Sequence, residues 1–288
     1  MENNSNEMLM QQIKIVNSNL IQIYNSLKQE NLQMKKLIVD LQFRVQDLMN
    51  LTDVVGFLGR FPTFNIETKN PIAYESDDHI HPRGTRNDNT RYPKFKQKCF
   101  ELFGKEASLL DLGCAGGGLV ADFLFSGLTA AGIEGSDFSR QIARAEWSRI
   151  SNFLFTADIT KPFSLNANGN QHSHKFTVVS AWEVLEHIPE DLLTGLLTNI
   201  RNHLHDQGFF VASIAQFEDF DPRTGAKWHV TIKSQEWWKS KFAECGFEIV
   251  PNIFHPSDFP RGTGNGDEDW NVLANPEHGF HVAARKIN

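Results

Sequence analysis

The chain of 288 residues is 40% hydrophobic and 22% charged, the balance of a globular protein with a sizeable core rather than of a disordered one. Acidic residues outnumber basic ones by 35 to 28, and the resulting net charge of −7 argues against a nucleic-acid binder. Three scattered cysteines in no CxxC pair, no apolar run near the ~18 residues of a membrane span and a polar start unlike a signal peptide point to a soluble, cytoplasmic protein.

Residues 1–55 carry a heptad pattern. With Ile13 as position a, the a series runs Ile13, Leu20, Leu27, Met34, Leu41, Leu48 and Val55. The d series runs Leu9, Val16, Ile23, Glu30, Leu37, Arg44 and Leu51, with two charged interruptions. One register held this long, with no Pro or Gly before Gly56, predicts a coiled-coil helix of ~70 Å. Self-association is expected, with a helix folded back on its own domain as the alternative. Ile38 and Val45 at e positions widen the seam toward three or more strands or toward packing on the body.

Residues 56–93 are rich in Gly, Pro, Asn and Asp but threaded with Phe57, Phe61, Phe64 and Tyr74, as in an ordered linker. Its segment 76–89 is read either as a turn network or as an active-site lid bringing His79, His81, Arg83 and Arg86 over a ligand. From residue 94 helices and strands alternate. Helices are expected at 94–103, 118–125, 139–150, 189–204 and 234–245. Strands are expected at 108–112, 129–134, 153–156, 176–181, 208–214, 247–254 and 280–284, with a polar loop at 161–175 that holds solvated His172 and His174. This alternation predicts an α/β fold with helices on both faces of an open sheet, its last two strands antiparallel.

The chemical signal starts where the first of these strands ends, in Asp111-Leu-Gly113-Cys-Ala-Gly116-Gly-Gly118. Small residues let a backbone approach a ligand closely, and the helix that follows offers its N-terminus. Ala115 stands where a dinucleotide fingerprint has its second glycine. Glu134, at the end of the second strand, suits both hydroxyls of a ribose. Asp158 and Ile159, at the end of the third, suit an adenine amine and ring face. Three nucleoside-type features on successive strand ends mark the crevice where open α/β sheets bind ligands.

This set resembles the class I S-adenosylmethionine-dependent methyltransferases over roughly residues 95–286. DLGCAGGG is similar to the family's glycine-rich motif, GIEGSD to its ribose motif, FTADIT to its adenine motif and FTVVSAWEVLEHIPE to its fourth-strand motif. The resemblance implies a Rossmann-like seven-stranded, mostly parallel sheet with the last strand antiparallel, and S-adenosylmethionine as cofactor. It would put Asp111 and Gly113 by the methionine moiety and Gly116 and Gly118 in the shaping of the loop. Glu134 would hold the ribose, Asp158 and Ile159 the adenine, and Ala181 and Trp182 would lie beside the sulfonium.

Methyl transfer from a sulfonium is an in-line displacement, and an alcohol acceptor needs a base or a metal where an amine does not. Glu183, Glu186 and His187 would share one face of a helical turn. In the ubiquinone-pathway O-methyltransferases a similar segment lies at the active-site mouth and can hold a divalent cation, so a metal stays open here. Trp228-His229 follows the fifth strand, where a ring-stacking Trp would sit beside a base. His187, His229 and Glu183 are the catalytic candidates. Residues 257–277, with Arg261 and Trp270, would wall the acceptor pocket, whereas Cys114 lacks the partner a catalytic thiolate needs. O-methylation of a small-molecule or saccharide-type hydroxyl is expected. The alternatives are N-methylation of a small amine or protein side chain, and a nucleoside-binding coiled-coil scaffold without turnover.

Overall fold

The computed structural model describes residues 17, 19–20, 22–31, 34, 54–74, 86–222, 224–264 and 269–287. They fall in two units, Met1–Phe57 and Leu58–Asn288. In the first, the residues described before 35 are helical, and Leu20, Ile23, Leu27 and Met34, all at heptad a or d positions, are exposed. The rest of the heptad stripe lies outside the described residues. No helix among the described residues is long and apolar enough to cross a membrane.

The second unit contains, in chain order, β1 (Phe64–Thr68), α1 (Pro93–Phe103), β2 (Ser108–Leu112), α2 (Gly118–Leu124), β3 (Thr129–Glu134), α3 (Phe138–Gln141) and β4 (Leu154–Thr156). It continues with β5 (Phe163–Ala167), β6 (Phe176–Trp182), α4 (Leu193–His203), β7 (Leu204–Ala215), α5 (Gln235–Glu244), β8 (Phe247–Ile249) and β9 (Gly279–Lys286). Seven strands form one sheet in the order β4-β3-β2-β6-β7-β9-β8. Every pair from β4 to β7 is parallel, and β9 runs antiparallel to both β7 and β8. That is the sheet expected from the alternation of elements. Strand β2 is buried along its whole length, as a central parallel strand covered on both faces must be. The order reverses direction between β2 and β6, so the ends of β2, β3, β4 and β6 open onto one crevice.

Several local expectations differ from the structure. The helix expected over 139–150 stops after α3 and gives way to a 3₁₀ turn at Ala145–Ser148. Ala143 and Ala145 both adopt φ +49°. These turns send Glu146 N to Gly116 O (3.0 Å) and Trp147 Nε1 to Ala115 O (2.8 Å), so tertiary hydrogen bonds override helix propensity. The linker and the polar loop each hide a strand. β1 pairs antiparallel with β5 in a separate two-stranded ribbon, and His174 is half-buried between Phe64 and Phe176 rather than solvated. Helix α4 passes directly into β7 at Leu204, four residues before the strand was expected. Strand β8 ends at Ile249, because Pro251 has no N–H with which to extend a ladder.

Candidate active site

The glycine-rich turn begins as β2 ends. Gly113 N and Cys114 N both donate to Ile133 O on β3 (2.8 and 3.2 Å), which folds the chain back over its neighbour. Gly113 and Gly117 take φ +74° and +85°, and a Cβ on Gly113 would meet Val184 Cγ2 at 2.5 Å. Ala115 also takes a left-handed φ of +45°, a conformation that costs an L-residue roughly 1–2 kcal/mol. Two bonds offset that cost. Ala115 N donates to Glu134 Oε2 at 2.7 Å, and Ala115 O accepts from the buried Trp147 indole. Cys114 Sγ would lie 2.7 Å from a Cβ on Gly132, so the cysteine is a packing residue, and burial raises its pKa.

Each predicted cofactor residue has a definite place. Glu134 is buried at the end of β3, its Oε1 accepting from Ser136 N as well (3.3 Å). Asp158 Oδ1 accepts from Thr160 N (2.9 Å) and Thr160 Oγ1 (2.6 Å). Ile159 is buried beside it, its carbonyl held by Asn199. Asp111 is fully buried and accepts from Ser180 Oγ at 2.6 Å. Burial pushes its pKa up to about 7. Ala181 is buried at the end of β6, and the Trp182 ring packs edge-on against Phe95 (4.9 Å) and Phe259 (6.0 Å). The described flanks of the expected lid cross these strand ends. Asp158 N donates to Asn70 O, Ala73 N to Gly135 O and Gly116 N to Asp88 O. Arg144 Nη2 also bonds Asp88 O (2.5 Å), and Asn89 Nδ2 bonds Glu146 (3.3 Å). His79, His81 and Arg83 lie outside the described residues, and Arg86 sits over the Phe138 ring at 5.2 Å.

The catalytic candidates divide. His187 and His229 meet, ring centroids 4.8 Å apart, and with Glu186 they place one ligand atom each within 4.8 Å of one another. Such a group could hold a divalent cation. Glu186 is fully buried, with Oε1 bonded to Ala215 N (2.9 Å) and Oε2 without a hydrogen bond among the described residues. Burial raises its pKa to about 7, an effect that nearby His187 opposes. His229 Nδ1 lies 2.6 Å from Phe217 O; a carbonyl only accepts, so Nδ1 carries the proton and Nε2 the lone pair. A cavity of about 330 Å³ opens beside His229, lined by Glu218, Asp219, Phe220 and Lys227 among others. Glu183 faces elsewhere. Its two oxygens bond Trp270 Nε1 (2.5 Å) and Arg261 Nε (3.1 Å). Trp228 and Trp270 are both buried, 7% and 5% exposed, so neither offers the open face on which a sugar was expected to stack. Sequence reading missed Arg144, Glu146, Trp147 and Asn70, all of which reach the crevice through turns with no motif of their own.

A family profile described as a methyltransferase domain matches residues 85–258, from the lid flank through β8. The chain belongs to this methyltransferase-domain family. A ubiquinone biosynthesis O-methyltransferase from Actinobacillus pleuropneumoniae serotype 5b (strain L20) is 34% identical over 104 residues, 35% of this chain and 43% of that protein. The match thus spans less than half of that relative. Among solved structures, the glycopeptide N-methyltransferase MtfA complexed with S-adenosylmethionine is similar at 16% identity and a TM-score of 0.44, covering 68% of this chain and 95% of that one. The CcbJ methyltransferase from Streptomyces caelestis is similar at 13% identity and a TM-score of 0.47, covering 75% and 97%.

S-adenosylmethionine is the methyl donor of such enzymes, and the crevice has groups that fit it. Glu134 presents both carboxylate oxygens at the end of β3, bonded to Ala115 N and Ser136 N. Two buried atoms, Asn89 Oδ1 beside the glycine turn and Thr156 Oγ1 at the end of β4, have no hydrogen-bond partner among the described residues. The buried Asp111 has a stability consequence. Its folded pKa of about 7 lies above its usual 3.8, so its contribution to stability is full below pH 4 and is lost as pH rises to about 7, by up to roughly 1.4 kcal/mol for each pH step of one across that window. Asp111→Asn removes that loss. The difference in thermal midpoint, variant minus wild type, should therefore grow more positive across that window and stay level above it; a difference that does not change with pH contradicts the assignment.

Proposed function

We propose that the chain is an S-adenosylmethionine-dependent O-methyltransferase acting on a hydroxyl of a small molecule. The convergence of His187 and His229, from separate loops after β6 and β7, carries this reading. When bound, the cofactor supplies a methyl group on a positively charged sulfur. Glu134 holds the ribose, Asp158 Oδ2 and Ile159 hold the adenine, and Asp111 and Gly113 flank the methionine end. Gly116 and Gly118 would keep the turn close to the bound cofactor, and Ala181 and Trp182 would lie beside its sulfonium. The His229 Nε2 lone pair takes the acceptor's proton as the oxygen attacks, and the Phe217 carbonyl keeps the ring in the required tautomer. His187 orients the acceptor beside it. Glu183 positions residues 257–277 rather than acting as a base.

A hydroxyl is favoured over an amine because two histidines at one point supply a base that an amine would not need. The burial of Trp228 and Trp270 favours a small acceptor over a saccharide. A second reading uses the same residues. Glu186, whose Oε2 makes no hydrogen bond among the described residues, groups with the two rings in a set that suits a divalent cation, which would acidify the hydroxyl instead. Transfer to a panel of hydroxyl acceptors distinguishes these possibilities. His187→Ala and His229→Ala should each lose turnover by about 10²–10⁴-fold with unchanged affinity for S-adenosylhomocysteine. Activity that survives a chelator supports the base, and activity that a chelator removes and a divalent cation restores supports the metal. Full turnover in both variants contradicts either role.

The exposed Leu20, Ile23, Leu27 and Met34 support self-association through the N-terminal helix. Light scattering should find the full chain oligomeric and a chain lacking residues 1–55 reduced in subunit number. An unchanged subunit number would remove the coiled coil from the account.

A further inference from the structure

Arg261 opens the 257–277 segment, and the backbone around it is held on every side. Its carbonyl accepts from His281 Nε2 (2.8 Å), whose ring stacks on Phe259 with centroids 3.7 Å apart. The next two residues, Gly262 and Thr263, donate their N–H groups to the Asp269 carboxylate (2.6 and 3.1 Å). Gly262 takes φ +75°, and a Cβ there would meet Trp270 at 2.6 Å and His281 at 2.7 Å. Such a turn fixes where the Arg261 side chain starts.

The far end of that side chain is also held. Arg261 Nε donates to Glu183 Oε2, and the Trp270 indole occupies Glu183 Oε1. Glu183 itself sits at φ +52° immediately after β6, a strained conformation for a non-glycine residue. A strained, largely buried carboxylate that holds one edge of a guanidinium with one oxygen and an indole with the other is a positioning device. A guanidinium has five N–H hydrogens, and Arg261 commits one of them. Its terminal nitrogens make no hydrogen bond among the described residues, while the side chain is 30% exposed. Glu183 follows β6 directly, and Asp88, which lies within electrostatic reach of Arg261, touches the glycine turn through its carbonyl. The open fork therefore lies where the lid flank, the end of β6 and the 257–277 segment meet. Asp269 is engaged by its own turn and Asp88 Oδ1 by Thr90 (2.5 Å), so neither fills the fork.

We infer that Arg261, held edge-on by Glu183, is a carboxylate-binding residue of the active-site crevice. A planar fork with two parallel donors matches a carboxylate in bidentate geometry. Two sources present one here, the amino-acid end of the cofactor and an anionic group on the methyl acceptor. The inference rests on the methyltransferase reading for where these ligands lie, but its test reads binding and needs no turnover.

The full-length chain is titrated calorimetrically with S-adenosylhomocysteine and with 5′-methylthioadenosine, which lacks the carboxylate. The S-adenosylhomocysteine-loaded chain is then titrated with benzoate and with its neutral counterpart benzamide. A cofactor source predicts that Arg261→Gln weakens S-adenosylhomocysteine roughly tenfold or more, the scale of a charge-assisted hydrogen bond, and leaves methylthioadenosine unchanged. An acceptor source predicts unchanged S-adenosylhomocysteine affinity and a wild-type preference for benzoate over benzamide that disappears in the variant. Arg261→Lys, which keeps the charge but not the fork, should restore part of whichever effect is seen. If Arg261→Gln alters neither comparison, the inference is overturned and Arg261 is a structural ion pair only. Loss of methyl transfer with either carboxylate preference intact counts against the proposed reaction and leaves this site standing.

Discussion

The Glu134 carboxylate crosses from the end of β3 to the backbone N–H of Ala115 on the turn that follows β2, and the crevice depends on that crossing. Parallel strands leave their C-terminal ends ragged, and a turn of Gly113, Ala115 and Gly117 in left-handed conformations would otherwise be a loose loop. Glu134 fixes it from one side and Trp147 from the other. In the proposed reading the same acid would hold the ribose diol, so the group that orders the turn would also be the group offered to the ligand. Preorganisation of this kind lowers the ordering cost of binding.

Much of this was legible in the sequence because it is set by short-range pattern. Five-residue apolar strands, the glycine cluster after Asp111 and acids at the ends of β3 and β4 follow from local residue types at fixed intervals. The open α/β sheet and the antiparallel pairing of its last two strands agree with what those intervals implied. What escaped depends on distant partners. Residues 139–150 have helical composition, yet Ala143 and Ala145 turn so that Arg144, Glu146 and Trp147 can reach the glycine turn and the lid flank. Phe64-x-Ile66 and Phe163-x-Leu165 alternate as strands do, but their ribbon becomes evident only when the two segments are side by side.

Glu183 shows how residue type and role come apart. An acid directly after β6, three residues before Glu186-His187, reads as part of a catalytic cluster. Its neighbours in space are Arg261 and Trp270, nearly eighty and ninety residues further along the chain, and no local spacing announces them. Two other buried acids, Asp111 and Glu186, both have pKa values of about 7. Burial rather than a charged partner dominates each shift, as in sites that trade stability for chemistry.

The most direct test of the central claim is calorimetric titration of the full-length chain with S-adenosylhomocysteine, for wild type and for Glu134→Ala. Saturable binding at one site per chain, weakened about tenfold or more in the variant, is the predicted result. Equal affinity in both proteins, or no binding by the wild type at millimolar ligand, would contradict the ribose role of Glu134 and the crevice built around it.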